Sequence, residues 1–135
     1  MTYDDVLEIE EGVEDTNSVD LNELVRRCEE KHPVTCKRFK ELQVEDYKLF
    51  CKKQLDYGSD NVTQGEDIST EDGNLWSLIN INGRCVEKVM RLKNLLRAQA
   101  KEGREPNNES IDDSFQDLSN YSLIARLIKE EVWSK

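Results

Sequence analysis

The chain has 135 residues, enough to bury one hydrophobic core but too few for a core plus a separate catalytic module. Its formal net charge of -10 excludes a general binder of duplex nucleic acid or of anionic membranes, because counterion release needs many cations facing the phosphates. Hydrophobic and charged residues each make up 36% of the chain, a polar balance that predicts a segment left unpacked.

That segment is the beginning. Residues 1–17 hold Asp4, Asp5, Glu8, Glu10, Glu11, Glu14 and Asp15 with no Lys or Arg, so self-repulsion opposes compaction. A flexible acidic tail is expected over 1–17, either simply solvated or docking on a basic protein partner, followed by a single helical domain over 18–135. No apolar run approaches the ~18 residues needed to span a bilayer, and the N-terminus has no basic segment followed by an apolar one, so a cytoplasmic protein without membrane contact is expected.

From Asp20, the spacing of Leu21, Leu24, Val25 and Cys28 predicts a helix, with Asp20 and Glu23 placed as a capping box and Pro33 as its end. A second helical stretch runs from about Thr35 to Tyr57. Its apolar stripe changes phase near Gln43, as two helices meeting at a bend would, and Gly58 is placed to cap it. Residues 58–73, rich in Gly, Ser, Thr, Asn and Asp, read as a long loop. A third helix is expected from Asn74 to Ala100 with Leu75, Leu78, Cys85, Val89, Leu92 and Leu96 as its core row, and a polar turn containing Gly103 and Pro106 follows. Ser110 and Asp113 have the spacing of a second capping box, opening a last helix to about Trp133 with Ile111, Phe115, Leu118, Ala125, Ile128 and Val132 inward.

The expected fold is therefore all-α: a small antiparallel helical bundle with two long C-terminal helices. A bundle of this size often completes its core by pairing, and a homodimer is expected. The four cysteines show no CxxC pair, which argues against zinc and favours reduced core thiols. His32, the sole histidine, precedes Pro33 and reads as an exposed cap rather than a catalytic base.

The chemistry lies beside the core rows. Arg84, Lys88 and Arg91 follow at steps of four and three, a cationic stripe bracketed by Ile81 and Leu95. On the last helix Asp113, Asp117, Asn120 and Tyr121 share a side, preceded by Glu109. Carboxylates at i and i+4 can aim oxygens at one divalent ion, so Asp113 and Asp117 are candidate Mg2+ ligands, with nucleotide phosphates supplying further oxygens. The same pair also fits plain interhelical salt bridges to Lys88 and Arg91. Near the end of the second helix, Lys53, Asp56, Tyr57 and Gly58 offer a cation for phosphate and a ring for a base, or an ordinary helix end.

Three blocks in order, KKQLDYGSDN, RCVEKVMRLKNLL and PNNESIDDSFQDLSNYSLIARL, resemble the first of the nucleotide-modification-associated domain families carried by bacteriophages, over about residues 45–133. The resemblance implies an all-helical phage protein acting in the host cytoplasm on nucleotide metabolism or DNA base modification. Its matching positions here are Lys53, Asp56, Tyr57, Gly58, Lys88, Arg91, Leu92, Asn94, Asn107, Asn108, Glu109, Asp113, Asp117, Asn120 and Tyr121. A looser similarity joins the chain to MazG-type nucleotide pyrophosphohydrolases, whose magnesium sits among ExxE and ExxD acids on paired helices. This chain departs from that pattern, with Glu87 followed by Lys88, Met90 and Arg91. Two functions are expected on these grounds: Mg2+-dependent hydrolysis at a (deoxy)nucleotide phosphate, or nucleotide binding without catalysis, as a counter-defence sponge for a host signalling nucleotide or an accessory subunit. The expected nucleotide contacts are Lys53, Asp56, Tyr57, Arg84, Lys88, Arg91, Asn120 and Tyr121.

Overall fold

Pro33 divides the first helical segment as its ring requires, since the residue before a proline is pushed out of the helical region. In a computed structural model of the chain, which describes Asn17, Ser18, residues 20–103 and residues 110–135, helix α1 spans Leu21–Lys31 and α2 spans Pro33–Tyr57. His32 between them is exposed and closes α1, its N–H donating to the Cys28 carbonyl at 2.8 Å, while its own carbonyl accepts from Cys36 N–H at 3.0 Å. Proline at the first position of α2 costs nothing there, because that N–H has no helical partner. Three further helices follow among the described residues: α3 Asp60–Thr63, α4 Glu71–Glu102 and α5 Ile111–Lys129. No strand occurs among the described residues, and none of their helices is long and apolar enough to cross a membrane.

The acidic tail over residues 1–16 and the turn carrying Pro106, Asn107, Asn108 and Glu109 lie outside the described residues. The rest falls into two compact units, divided between Gln43 and Val44 within α2. This is where the apolar stripe changes phase, although the helix runs on through it as one element.

In the first unit, α1 and the start of α2 are linked by Lys40 to Glu29 at 3.2 Å and by the Cys28 and Cys36 sulfurs at 3.6 Å. The expected capping box at its start is absent. Asp20 makes no side-chain cap, and Glu23 turns instead to Arg26, whose Nε donates to it at 2.9 Å. That hydrogen bond, with the nearby guanidinium charge, holds the Glu23 carboxyl down at about 2. No residue of α1 is fully buried, and Cys28 is exposed rather than a core thiol, because two helices alone enclose no interior.

In the second unit, α4 and α5 pack antiparallel. Asn74 near the start of α4 donates to the carbonyl of Ile128 near the end of α5 at 2.7 Å, and Lys88 further along α4 meets Asp117 towards the start of α5 at 2.9 Å. Ile81, Ile124, Ile128, Val62 and Trp133 form the core, with Phe50 of α2 packed against it. Trp133 lies beyond the observed end of α5, and its indole N–H donates to the Ser59 carbonyl at 3.3 Å.

The expected core rows are buried only in part: Leu92 and Ile128 are buried and Leu78 and Ala125 pack against the core, while other members stay exposed. On α4 the buried residues are Gly73, Ser77, Ile81 and Leu92, and on α5 they are Ser114, Asp117, Asn120, Ile124 and Ile128. Leu75, Val89, Phe115 and Val132 are exposed. Small residues occupy the facing rows, with Ser77 and Ser114 fully buried. Small side chains let the two helix backbones approach closely, and the hydroxyl of Ser77 is satisfied by the Gly73 carbonyl at 2.8 Å.

The expected loop over 58–73 contains the short α3 and gives its last three residues to α4. Thr70 caps α4 by accepting from Gly73 N–H at 3.0 Å, and Asp67 accepts from both the backbone N–H and hydroxyl of Ser69. A Cβ on Gly73 would lie 2.0 Å from the Asp67 carbonyl oxygen, so only glycine fits this turn. The capping box of the last helix forms as expected: Asp113 N–H donates to Ser110 Oγ at 2.9 Å, and Ser110 N–H donates to Asp113 Oδ2 at 3.3 Å.

Candidate functional site

Asp117 lies on the face of α5 turned towards α4, only 8% exposed. Its two oxygens are divided between two cations: Oδ1 accepts from Lys53 of α2 at 2.8 Å and Oδ2 from Lys88 of α4 at 2.9 Å. Burial would raise its pKa, but the two lysine hydrogen bonds and charges outweigh burial and leave the carboxyl below its ordinary value. Three helices thus meet at one carboxylate, each supplying one charged side chain.

These three residues line a cleft of about 270 Å3. Arg84 adds a third cation, held by hydrogen bonds to the backbone and side-chain oxygens of Asn61. Tyr57 and Tyr121 stand in its wall, Gly58 turns the chain with φ of 72° at its edge, and Phe50, Val62, Ile124 and Trp133 supply apolar surface. A second hollow of about 460 Å3 shares Arg84, Lys88 and Tyr121 with the first and is lined further by Gln64, Asn80, Gly83 and Glu87. Three cations against one carboxylate leave the cleft positive, in a chain whose overall charge is strongly negative.

Of the residues expected from sequence, Lys53, Tyr57, Arg84, Lys88, Asp117 and Tyr121 come together here. Asp56 points elsewhere, to Lys52 at 3.3 Å. Arg91 is exposed and does not line either hollow, because it lies about a turn further along α4 than Lys88, beyond the stretch that faces them. Asn120 is buried as a brace, donating to the Asp46 carbonyl at 3.0 Å, beside Ser119 hydrogen-bonded to the Asp46 carboxylate at 2.7 Å. Helical spacing does not single out Asn61, Gln54 or the apolar wall. The one legible signal for them is Val62, an apolar residue set in a loop otherwise almost without one.

The expected magnesium ligands do not fit a shared ion. Asp113 is committed to its own helix start through Ser110 and lies outside the cleft, while both oxygens of Asp117 accept lysine ammonium groups. Among the described residues no group of three or more His, Cys, Asp or Glu side chains is placed to hold a metal. The donor set suits an anion, not a cation.

The fold and cleft define an all-α protein with a positive, aromatic-walled pocket between α2, α4 and α5. Compared with family models, curated proteins and solved structures, the chain matches none.

Proposed function

We propose that the chain binds a nucleotide, or a nucleotide-derived small molecule, by its phosphates and without catalysis. The observation that carries this reading is the convergence of Lys53, Lys88 and Arg84 on one cleft in which, among the described residues, Asp117 is the only carboxylate. A buried carboxylate spanning two lysines keeps their ammonium groups aimed into the cleft before any ligand arrives, so little order is lost on binding. A phosphate meets the lysines as point charges and Arg84 as a planar donor. The first hollow alone is small for a whole nucleotide, but the second opens from it at Arg84, Lys88 and Tyr121, and a base and sugar fit the pair with Tyr57 or Tyr121 against the base.

The resemblance to the phage nucleotide-modification-associated domains supports the same ligand class, and the occupied oxygens of Asp117 favour binding over magnesium-dependent hydrolysis. A cytoplasmic phage role, as a sponge or an accessory subunit, follows from the resemblance alone. Native mass spectrometry of the freshly purified protein tests the ligand: an adduct with the mass of an intact nucleotide is expected. Release of a cleaved product from added nucleotide would reject the non-catalytic reading, and failure of nucleotides, pyrophosphate and phosphate alike to bind would reject the site.

A further inference from the structure

The side of α4 turned away from α5 carries a second organised row. Leu75, Ile79, Asn82, Val86, Val89, Lys93 and Leu96 follow at alternating steps of four and three, the spacing of a two-helix seam. Its apolar members lie in the open: Val86 and Val89 each keep 53% of their surface exposed, and Leu75, Ile79 and Leu96 are similar. From Leu75 to Leu96 the row runs roughly 32 Å along the helix. Leu75, Ile79 and Val86 lie across the helix from Ser77 and Ile81, Val89 and Leu96 flank Leu92, and no member of the row is among the buried residues of α4.

We infer that this row is the contact through which two copies of the chain pair, α4 against α4 and antiparallel. The size is adequate: with Met90 at its edge, six half-exposed side chains of roughly 100 Å2 each give roughly 1,200 Å2 over both copies, at the lower limit of a stable interface. Antiparallel order follows from charge. α4 begins with Glu71 and Asp72 and carries Arg97 and Lys101 near its end on the side of the row, its last residue Glu102 lying on the other side. With Val86 on the two-fold axis, Asp72 of one copy lies beside Arg97 and Lys101 of its partner, which attracts. A parallel pair would set Asp72 against Asp72 and Lys93 against Lys93, which repels. In the antiparallel pair Lys93 falls beside the partner's Ile79, where its stem covers apolar surface and its ammonium reaches water. The seam is apolar enough to associate, and its polar ends select the direction. Because the cleft residues Arg84 and Lys88 flank the opposite row, both clefts stay open in the pair.

Sedimentation of the full chain across a concentration series tests the pairing, with circular dichroism as a check on helicity. The wild type is expected to run as a dimer, and Val86→Glu, which sets two like charges across the axis, to weaken association by about 100-fold. Asp72→Lys and Lys101→Glu should each weaken it by about tenfold, and combining them should restore it. A wild-type monomer at about 100 µM, well above ordinary micromolar association, would overturn the inference. So would a dimer unmoved by Val86→Glu in a protein of normal helicity. If Val86→Glu fails to fold, the exchanged pair still decides, and a double variant no better than the singles would overturn the antiparallel arrangement. Anion binding by the charge-exchange variants should be unchanged, so a failed cleft and a failed interface are told apart.

Discussion

Lys88 Nζ and Asp117 Oδ2 stand 2.9 Å apart across the α4–α5 interface, and this pair locks the middle of one helix to the opening turns of the other while facing a cleft. The lysine side chain keeps 17% of its surface and the aspartate 11%, so the pair is dry enough to be strong and open enough to be approached. Lys53, more exposed at 43%, completes it from a third helix.

Lys88→Ala should weaken pyrophosphate binding by at least tenfold, and Lys53→Ala by less, following their exposures. A charge-assisted hydrogen bond to phosphate is worth about 1.5–3 kcal/mol, reduced where solvent screens it. Titration calorimetry at low and high salt checks the order, and equal affinity in both variants and the wild type would remove the cleft as the site.

Asp117→Asn separates phosphate binding from magnesium-dependent hydrolysis. It removes the internal counter-charge, so pyrophosphate should bind as well or a few-fold more tightly, whereas a magnesium site would lose its ion and the activity that depends on it. The same change should cost stability of about 1–3 kcal/mol at pH 7, because Lys53 and Lys88 lose the carboxylate charge between them. The folded-state pKa of Asp117 is lowered, so its contribution is fully present above the ordinary value of 3.8 and is lost as pH falls through the lower folded value. Urea unfolding of both proteins from pH 7 down to about 3 should show the curves converging only at the acid end.

Two glycines of α4 should respond in opposite senses. Gly73→Ala drives a methyl into the Asp67 carbonyl and should cost about 2 kcal/mol or more, loosening the turn that leads into α4. Gly83→Ala meets nothing within 4 Å and should gain up to about 1 kcal/mol from helix propensity. Thermal unfolding of the two variants measures the difference.

Cys28 and Cys36 face one another at 3.6 Å between α1 and α2. Their mutual hydrogen bond, then burial, raises the Cys36 thiol above its ordinary value of 9.0, so alkylation at pH 7 should be slow. A thiol oxidant such as diamide should nevertheless join them within one chain, itself being reduced as the two thiols lose their protons and electrons. Non-reducing peptide mapping checks this, and a cross-link from Cys28 to any other cysteine in preference to Cys36 would contradict the geometry.

Helix existence and the capping box at Ser110 were legible because both depend on neighbours a few residues apart. The phase change at Gln43 was legible too, and it marks the boundary between the two units even though the helix does not break there. The buried faces were legible only in part, through Leu78, Leu92, Ala125 and Ile128. α4 carries apolar residues on both sides, and the richer side is the one left open, while Gly73, Ser77 and Ile81 pack against α5. Periodicity reports where apolar residues recur, and it cannot tell which of two apolar sides of one helix becomes the core.

The cleft divides in the same way. From sequence alone, the cations of α4 and the acids of α5 were candidates for one groove, and Lys53 and Tyr57 were a separate and weaker motif. Residues chosen by helical spacing share a side of one helix, but only the crossing of α2, α4 and α5 decides which sides meet. That crossing brings Lys53 to Asp117 across 64 positions of chain, and it leaves Asp113, Arg91 and Asn120 out although they lie within a turn of the site. The primary structure thus determined the all-helical character, the caps and the supply of charge. The tertiary structure decided which charges neutralise one another and which of them line the cleft, because distances of about 3 Å between helices are fixed by side-chain packing and not by spacing along any one of them.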